Sequence, residues 1–421
     1  MLNKLKPKSE FSRNVLTLMM GTTIAQAIPI AISPILTRIY TPEDFGLFAL
    51  FIAIMSIFGS IANGRYELAI MLPKKDEDAI NILALGFIIN VTLSIILLLI
   101  VLIFHQPIVN LLNNQDISPL LYFIPFSVFL MGCFNLLNYF NNRKKLYKDL
   151  AKANVYKSIA MAIVQLSLGF FKVGASGLVG GQFASQIVSN TKLFLNIKRL
   201  NLFSKISKIK IMALAKRYKD FPKYSMWAIL ASTLAQNFTT ILISSFFSIK
   251  ILGFYSFAQR LLGMPSSLIG ASIGQVFLQE ATKEKQLTGK TINTFSSTIK
   301  KLFLIAMPSF GILFFIVEDL FALVFGEEWR VAGKYAQIII PLFFIQFISN
   351  AVSGTYDIFT ALKLELLWQV SVLTGTIFIV YIDRNREFEI LLKHVSVYGV
   401  LLYTLSFYFM YNLTKGKKIY D

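Results

Sequence analysis

Ile80–Phe104 reads INILALGFIINVTLSIILLLIVLIF, a run with no charged residue. A helix needs roughly 20 predominantly apolar residues to cross the hydrocarbon core of a bilayer. A soluble core helix of this length would carry a polar stripe, and this stretch has none. Asn14–Thr37, Phe45–Gly64, Ile117–Phe140 and Tyr224–Ile249 are equally free of charge. In lipid every backbone group must bond internally, so such blocks form helices.

Composition agrees with block length. Of 421 residues 55% are hydrophobic and 15% charged, against about a quarter charged in soluble domains. Two or three soluble domains of this total length would lack the charge to cover their surfaces. The sequence predicts an all-α integral membrane protein of about twelve transmembrane helices. The expected spans are 14–37, 45–70, 80–104, 117–140, 154–171, 173–193, 224–249, 251–278, 302–320, 335–356, 364–382 and 394–413. The N-terminal apolar run is a full span with no small-residue cleavage site, so no cleaved signal peptide is expected.

Orientation follows the distribution of lysine and arginine. Of 41 basic residues, 31 fall in alternate segments: 1–13, 71–79, 141–157, 192–223, 280–301, 357–365 and 414–421. Eight fall in the opposite segments, and Arg65 and Arg260 fall within spans. The bias predicts a multi-pass protein with both termini cytoplasmic. It also accounts for the net charge of +19 without nucleic acid, and it favours contact with anionic membrane lipids.

The longest polar connection, 192–223, is basic and has an amphipathic pattern through Ile206, Ile209, Ile211 and Leu214. It is expected to lie along the cytoplasmic surface. It divides the chain into an N-terminal six-helix lobe, 1–191, and a C-terminal six-helix lobe, 224–421. Short matches support an internal repeat: Thr23-Ile24-Ala25-Gln26 with Thr233-Leu234-Ala235-Gln236, and Phe45-Gly46-Leu47-Phe48 with Leu252-Gly253-Phe254-Tyr255. Parallel repeats with a site between them are a transporter arrangement.

No catalytic constellation is visible: there is no phosphate-cradling glycine loop, ATPase motif or His-Glu-x-x-His helix. The single cysteine, Cys133, excludes a disulfide framework, and His105 and His394 lie far apart. No metal or cofactor is expected. Gly174, Gly177, Gly180 and Gly181 are read as close-packing positions.

Function is therefore sought in charges within spans, which are costly and usually face a cavity or a partner. Arg260 is the clearest, too deep for easy snorkelling. Arg65 and Glu67 lie near the inner end of the second span, where a structural ion pair is the bland reading. A proton-coupled or gating Glu67 is the functional one. Arg38 closes the first span on the outer side, where it can snorkel to the interface. Arginine suits a bidentate grip on phosphate oxygens. Pro29, Pro34, Pro265, Pro308 and Pro341 are expected to bend spans.

Four stretches carry a resemblance. They are Leu36–Phe48 (LTRIYTPEDFGLF), Arg65–Lys74 (RYELAIMLPK), Leu252–Arg260 (LGFYSFAQR) continuing to Pro265 and Gln275–Phe277, and Phe325–Trp329 (FGEEW) with Ala332-Gly333 and Ala336. In order and spacing they resemble the polysaccharide-export branch of the multidrug/oligosaccharidyl-lipid/polysaccharide flippase superfamily, which includes the Wzx-type O-antigen flippases. The resemblance implies two six-helix lobes forming a V around a central cavity. It implies a non-enzymatic flippase of undecaprenyl-pyrophosphate-linked oligosaccharide in the bacterial inner membrane, serving lipopolysaccharide O-antigen or related surface polysaccharide. Polysaccharide-assembly proteins would be its partners. Arg38, Arg65 and Arg260 fall in matching stretches and are the candidates to hold the pyrophosphate. Three other readings stay open: a drug/cation antiporter, a peptidoglycan-precursor flippase, and a membrane polysaccharide polymerase or ligase. The few acidic residues within spans, the absence of further spans and the short outer loops weigh against them in turn. A scaffold without transport is a fourth.

Overall fold

The computed structural model describes residues 10–265 and 270–416. Most of the two expected terminal basic segments (1–9 and 417–421) and part of the 251–278 span lie outside the described residues. Among the described residues regular structure is helical, with no strand. The chain divides into two compact units, residues 1–250 and 251–421.

Unit 1 holds α1 (Glu10–Ile39), α2 (Pro42–Ile61), α3 (Tyr66–Ala69), α4 (Asp76–Ile103), α5 (His105–Leu112), α6 (Ser118–Leu121), α7 (Ile124–Arg143), α8 (Tyr147–Phe170), α9 (Ala175–Lys198), α10 (Lys208–Arg217) and α11 (Met226–Phe246). Unit 2 holds α12 (Ile249–Pro265), most of it beyond the division, then α13 (Ala271–Thr288), α14 (Ile292–Phe325), α15 (Arg330–Val352), α16 (Thr355–Ile358), α17 (Leu362–Asp383) and α18 (Phe388–Thr414).

Among the described residues, nine segments are long and apolar enough to cross a membrane, from Thr17–Ile39 to Phe388–Thr414. The twelve expected spans include three more. Two of these fall on α8 and α9, each 24 residues long. They miss the apolar requirement because α8 opens with Lys148, Asp149, Lys152 and Lys157, and α9 is rich in Gly, Ser and Gln. The third falls on α12, described for 17 residues.

The second expected span, 45–70, is corrected. Its helix ends at Ile61 because Gly64 and Arg65 both take left-handed backbone angles, φ 57° and 64°. An α-helix cannot continue through such residues. Asn63-Gly64 was the turn signal in the sequence.

The helix starts obey local rules. Thr41 accepts a hydrogen bond from the Asp44 amide at 3.2 Å, and Asp44 accepts one from the Thr41 amide at 3.0 Å, with Pro42 in the first turn of α2. That is a capping box. Asp76, Glu77 and Asp78 occupy the first turn of α4, where carboxylates favour the helix dipole. Pro29, Pro34, Pro308 and Pro341 lie inside helices as expected, while Pro265 ends the described part of α12.

Close packing explains two of the singled-out glycines. A Cβ on Gly177 would sit 2.3 Å from the Tyr40 hydroxyl, and one on Gly181 would sit 2.3 Å from Gln165 Cγ. Gly174 is not within a helix; it precedes α9 with φ 62°. The unit 1 core joins Ile80, Ile82 and Leu83 of α4, Leu136 and Phe140 of α7, and Leu193 and Ile197 of α9, with Leu214 of α10 tucked in.

Candidate functional site

The turn 62–75 of unit 1 is knitted on every side. The side-chain amide of Asn63 donates to the Gly132 carbonyl at 3.1 Å. The Tyr66 hydroxyl donates to the Ala215 carbonyl of α10 at 3.1 Å. Arg143 of α7 donates to the Ile70 and Met71 carbonyls and, through Nε, to Asp76 at 3.1 Å.

Arg65 belongs to this network. Its Nη1 lies 3.1 Å from Glu67 Oε1, and its Nε donates to Ser225 Oγ at 3.4 Å. Glu67 is 3% exposed and Arg65 21%. Glu67 stands outside the spanning helices, between Ile61 and Asp76. Burial raises its carboxyl above the ordinary 4.5, against the pull of its own backbone, Arg65 and Asn63. Its second oxygen, Oε2, is buried with no hydrogen-bond partner among the described residues. The structural ion pair read from the sequence is therefore present.

Arg38 lies at the other end of α2. It sits in the last turn of α1, exposed. The 20 residues of α2 separate this corner from Arg65 by about 30 Å, so the two cannot grip one pyrophosphate together. The corner itself is structural. Tyr40 is buried and donates to the Gln165 carbonyl at 2.7 Å. Burial first, and the Asp44 charge second, push its phenol up to about 12.

Arg260 stands apart. It lies on α12, eleven residues beyond Ile249, or about 16 Å along the axis. Its side chain is exposed, and among the described residues no carboxylate or hydrogen-bond acceptor engages it. The rest of its motif faces the other way. Phe254 and Phe257 pack on Trp329, with ring centroids 5.7 and 4.6 Å away. Phe321 and Phe325 close the same cluster from α14, and Trp329 is 1% exposed. Gly326, with φ 108°, turns the chain out of α14 so that Glu327–Trp329 can fold under it. Two motifs distant in sequence are thus one packing unit, from which Arg260 projects.

Lys157 was missed. Counted with a basic loop, it lies ten residues into α8, about 15 Å from the helix start. It is half-buried, 4.6 Å above the Phe134 ring, and among the described residues it has no carboxylate partner. The expected span 154–171 already contains Lys157, although the loop 141–157 also claims it; α8 starts at Tyr147, which sets Lys157 deeper in the helix.

Residues 35–334 match the family described as polysaccharide biosynthesis protein. Over 327 residues the chain is 22% identical to the succinoglycan biosynthesis transport protein ExoT of Rhizobium meliloti (strain 1021). That alignment covers 76% of this chain and 64% of ExoT, so the chain spans just under two thirds of that relative's length. The fold is similar to that of the lipid II flippase MurJ in an inward closed conformation, with TM-score 0.72 at 14% identity over 94% of this chain and 87% of MurJ. It is also similar to a multidrug resistance MATE family transporter of the MOP superfamily in an inward-facing conformation, with TM-score 0.64 at 12% identity over 94% of each chain. At such identities the shared property is the fold. The family match runs from the α1–α2 corner through the Trp329 cluster, and the chain belongs to the polysaccharide biosynthesis protein family, built on the fold of MurJ and the MATE transporters.

Proposed function

We propose that this protein is a flippase that moves undecaprenyl-pyrophosphate-linked oligosaccharide across the bacterial inner membrane for surface polysaccharide assembly, O-antigen of lipopolysaccharide included. The termini face the cytoplasm. Lobes 1–191 and 224–421, joined by the basic linker 192–223, rock to expose the site alternately to each side. Polysaccharide-assembly proteins receive the product.

The observation that carries this reading is Arg260: an exposed guanidinium eleven residues into α12, with no partner among the described residues. Such a charge is stable at that depth only where it meets water or an anion. A pyrophosphate has the paired oxygens that an arginine fork binds. The polar head needs such a path, because burying unpaired polar groups in hydrocarbon costs several kcal/mol each. Lys157 is a second isolated cation, in unit 1. Arg38 is a further candidate at the outer interface. Arg65 and Glu67 serve as a gate latch between the turn 62–75 and the segment at Ser225.

The test is Arg260→Ala in a strain whose surface glycan depends on this protein. Loss of glycan display, with normal protein abundance and accumulation of lipid-linked oligosaccharide on the cytoplasmic side, supports the reading. Undiminished display removes Arg260 as the grip. Accumulation of a cationic drug in place of glycan defects would instead indicate an antiporter.

A further inference from the structure

Unit 1 carries an apolar cavity of about 550 Å³, within the range of ligand sites. Helix α7, which packs against both α4 and α9, supplies its floor with Phe129 and Cys133. Phe87 of α4 and Phe194 of α9 form the walls, and Ile206 and Ile211 of the linker close one end. Phe87, Phe194 and Ile206 are substantially exposed, so the cavity opens sideways through its rim.

The proposed orientation sets the deep end of the cavity near the membrane midplane and its linker end toward the cytoplasm. Phe87 lies eleven residues past the start of α4, about 16 Å along the axis, and half the hydrocarbon core is about 15 Å thick. The floor runs from Phe129, in the first half of α7, to Leu137 in its second half, and the wall comes from the second half of α9. The linker end of the cavity lies on the side of Arg143 of α7 and Lys198 of α9, which the proposed orientation puts toward the cytoplasm.

That end carries an excess of positive charge. Lys198 is one turn beyond Phe194 on the same face of α9. Lys205 directly precedes Ile206, and Lys208 is one turn before Ile211 on α10. All three are exposed, and among the described residues none has a carboxylate within ion-pair distance. The acidic groups around them are already matched: Asp76 by Arg143 and Lys144, Glu77 by Lys210, and Asp149 by Lys192.

We infer that this is a binding site for one anionic glycerophospholipid, with an acyl chain in the cavity and the phosphate held by Lys198, Lys205 and Lys208. An apolar slot that opens sideways and ends at the linker fits the acyl chain of a lipid from the cytoplasmic side. A cationic mouth selects an anionic headgroup. The bound lipid would cement residues 203–211 to α4, α7 and α9.

The test is native mass spectrometry of the full chain released from detergent micelles containing phosphatidylglycerol, phosphatidylethanolamine or undecaprenyl phosphate. The wild type should retain one phosphatidylglycerol about tenfold better than phosphatidylethanolamine. Lys198→Gln, Lys205→Gln and Lys208→Gln together should erase that preference while leaving the fold intact, since all three side chains are exposed. Cys133→Trp, which fills the cavity, should abolish retention of both phospholipids. Equal retention of the two by the wild type overturns the proposal, as does a preference that survives the triple substitution. Displacement of phosphatidylglycerol by undecaprenyl phosphate overturns it in favour of a polyprenyl chain.

Discussion

Arg65 and Arg260 lie in two motifs of the same family resemblance, yet their surroundings are opposite. In the turn 62–75 the arginine is on the inside, bonded to Glu67 and Ser225. On α12 the motif's aromatics are inside, against Trp329, and the arginine is outside. The difference teaches that a charge inside a family motif can serve either folding or binding, and that its partners separate the two. Arg65 already commits Nη1 to a carboxylate and Nε to a hydroxyl. Arg260 keeps all three guanidinium nitrogens for a ligand.

The largest expected effect breaks the comparison if it fails. Arg260→Ala should reduce surface glycan export at least about tenfold, the scale of one lost charge-assisted contact. The thermal midpoint of the purified protein in detergent should not move. A fall in that midpoint would place Arg260 with the structural residues. Next comes Trp329→Ala, which empties the pocket between Phe254, Phe257 and Phe325. A buried tryptophan truncated to alanine costs about 3–5 kcal/mol, read as a lowered thermal midpoint and reduced abundance. Retained stability would mean that the aromatic cluster does not anchor α12.

How much of this was legible in the sequence follows from scale. Helical character and membrane insertion were plain in runs such as 80–104, because twenty apolar residues admit few alternatives in lipid. The break after Ile61 was not taken from Asn63-Gly64. Apolar content runs on through Leu68-Ala69-Ile70, and hydropathy does not register two left-handed residues. The ion pair Arg65–Glu67 was anticipated because the residues are two apart in sequence. The bonds to Ser225 and Ala215 come from segments some 150 residues away and leave no local pattern. The Trp329 cluster was hidden for the same reason: FGEEW and LGFYSFAQR looked like two signatures, and their packing together is tertiary. Lys157 was concealed by a boundary seven residues, about two helical turns, too late.

Arg65→Ala sharpens the comparison from the other side. It leaves Glu67 buried without its cation, at a cost of about 2 kcal/mol for a largely buried pair, again read from the thermal midpoint. The pH dependence has a definite sign. Burial raises the Glu67 carboxyl above 4.5 in the folded protein despite Arg65, so the folded state holds its proton more tightly than the unfolded chain. The stability this contributes is fully present below pH 4.5 and is lost as pH rises through the folded value. The wild-type midpoint should fall over that window, and Glu67→Gln should flatten that component. A midpoint that rises instead would mean that the ion pair outweighs burial.

The smallest effect concerns the corner carrying Arg38. Thr41→Ala removes the side-chain half of the capping box at α2, since its hydroxyl accepts from the Asp44 amide. Loss of an N-cap hydroxyl costs about 1 kcal/mol, and Thr41→Ser should restore it. Tyr40 would still hold the corner through the Gln165 carbonyl and its seat against Gly177, so export should continue. If Thr41→Ala instead abolished export at near-normal stability, the corner would belong with Arg260 as a binding element. Arg38, exposed and only three residues before Thr41, would then be the residue to substitute next.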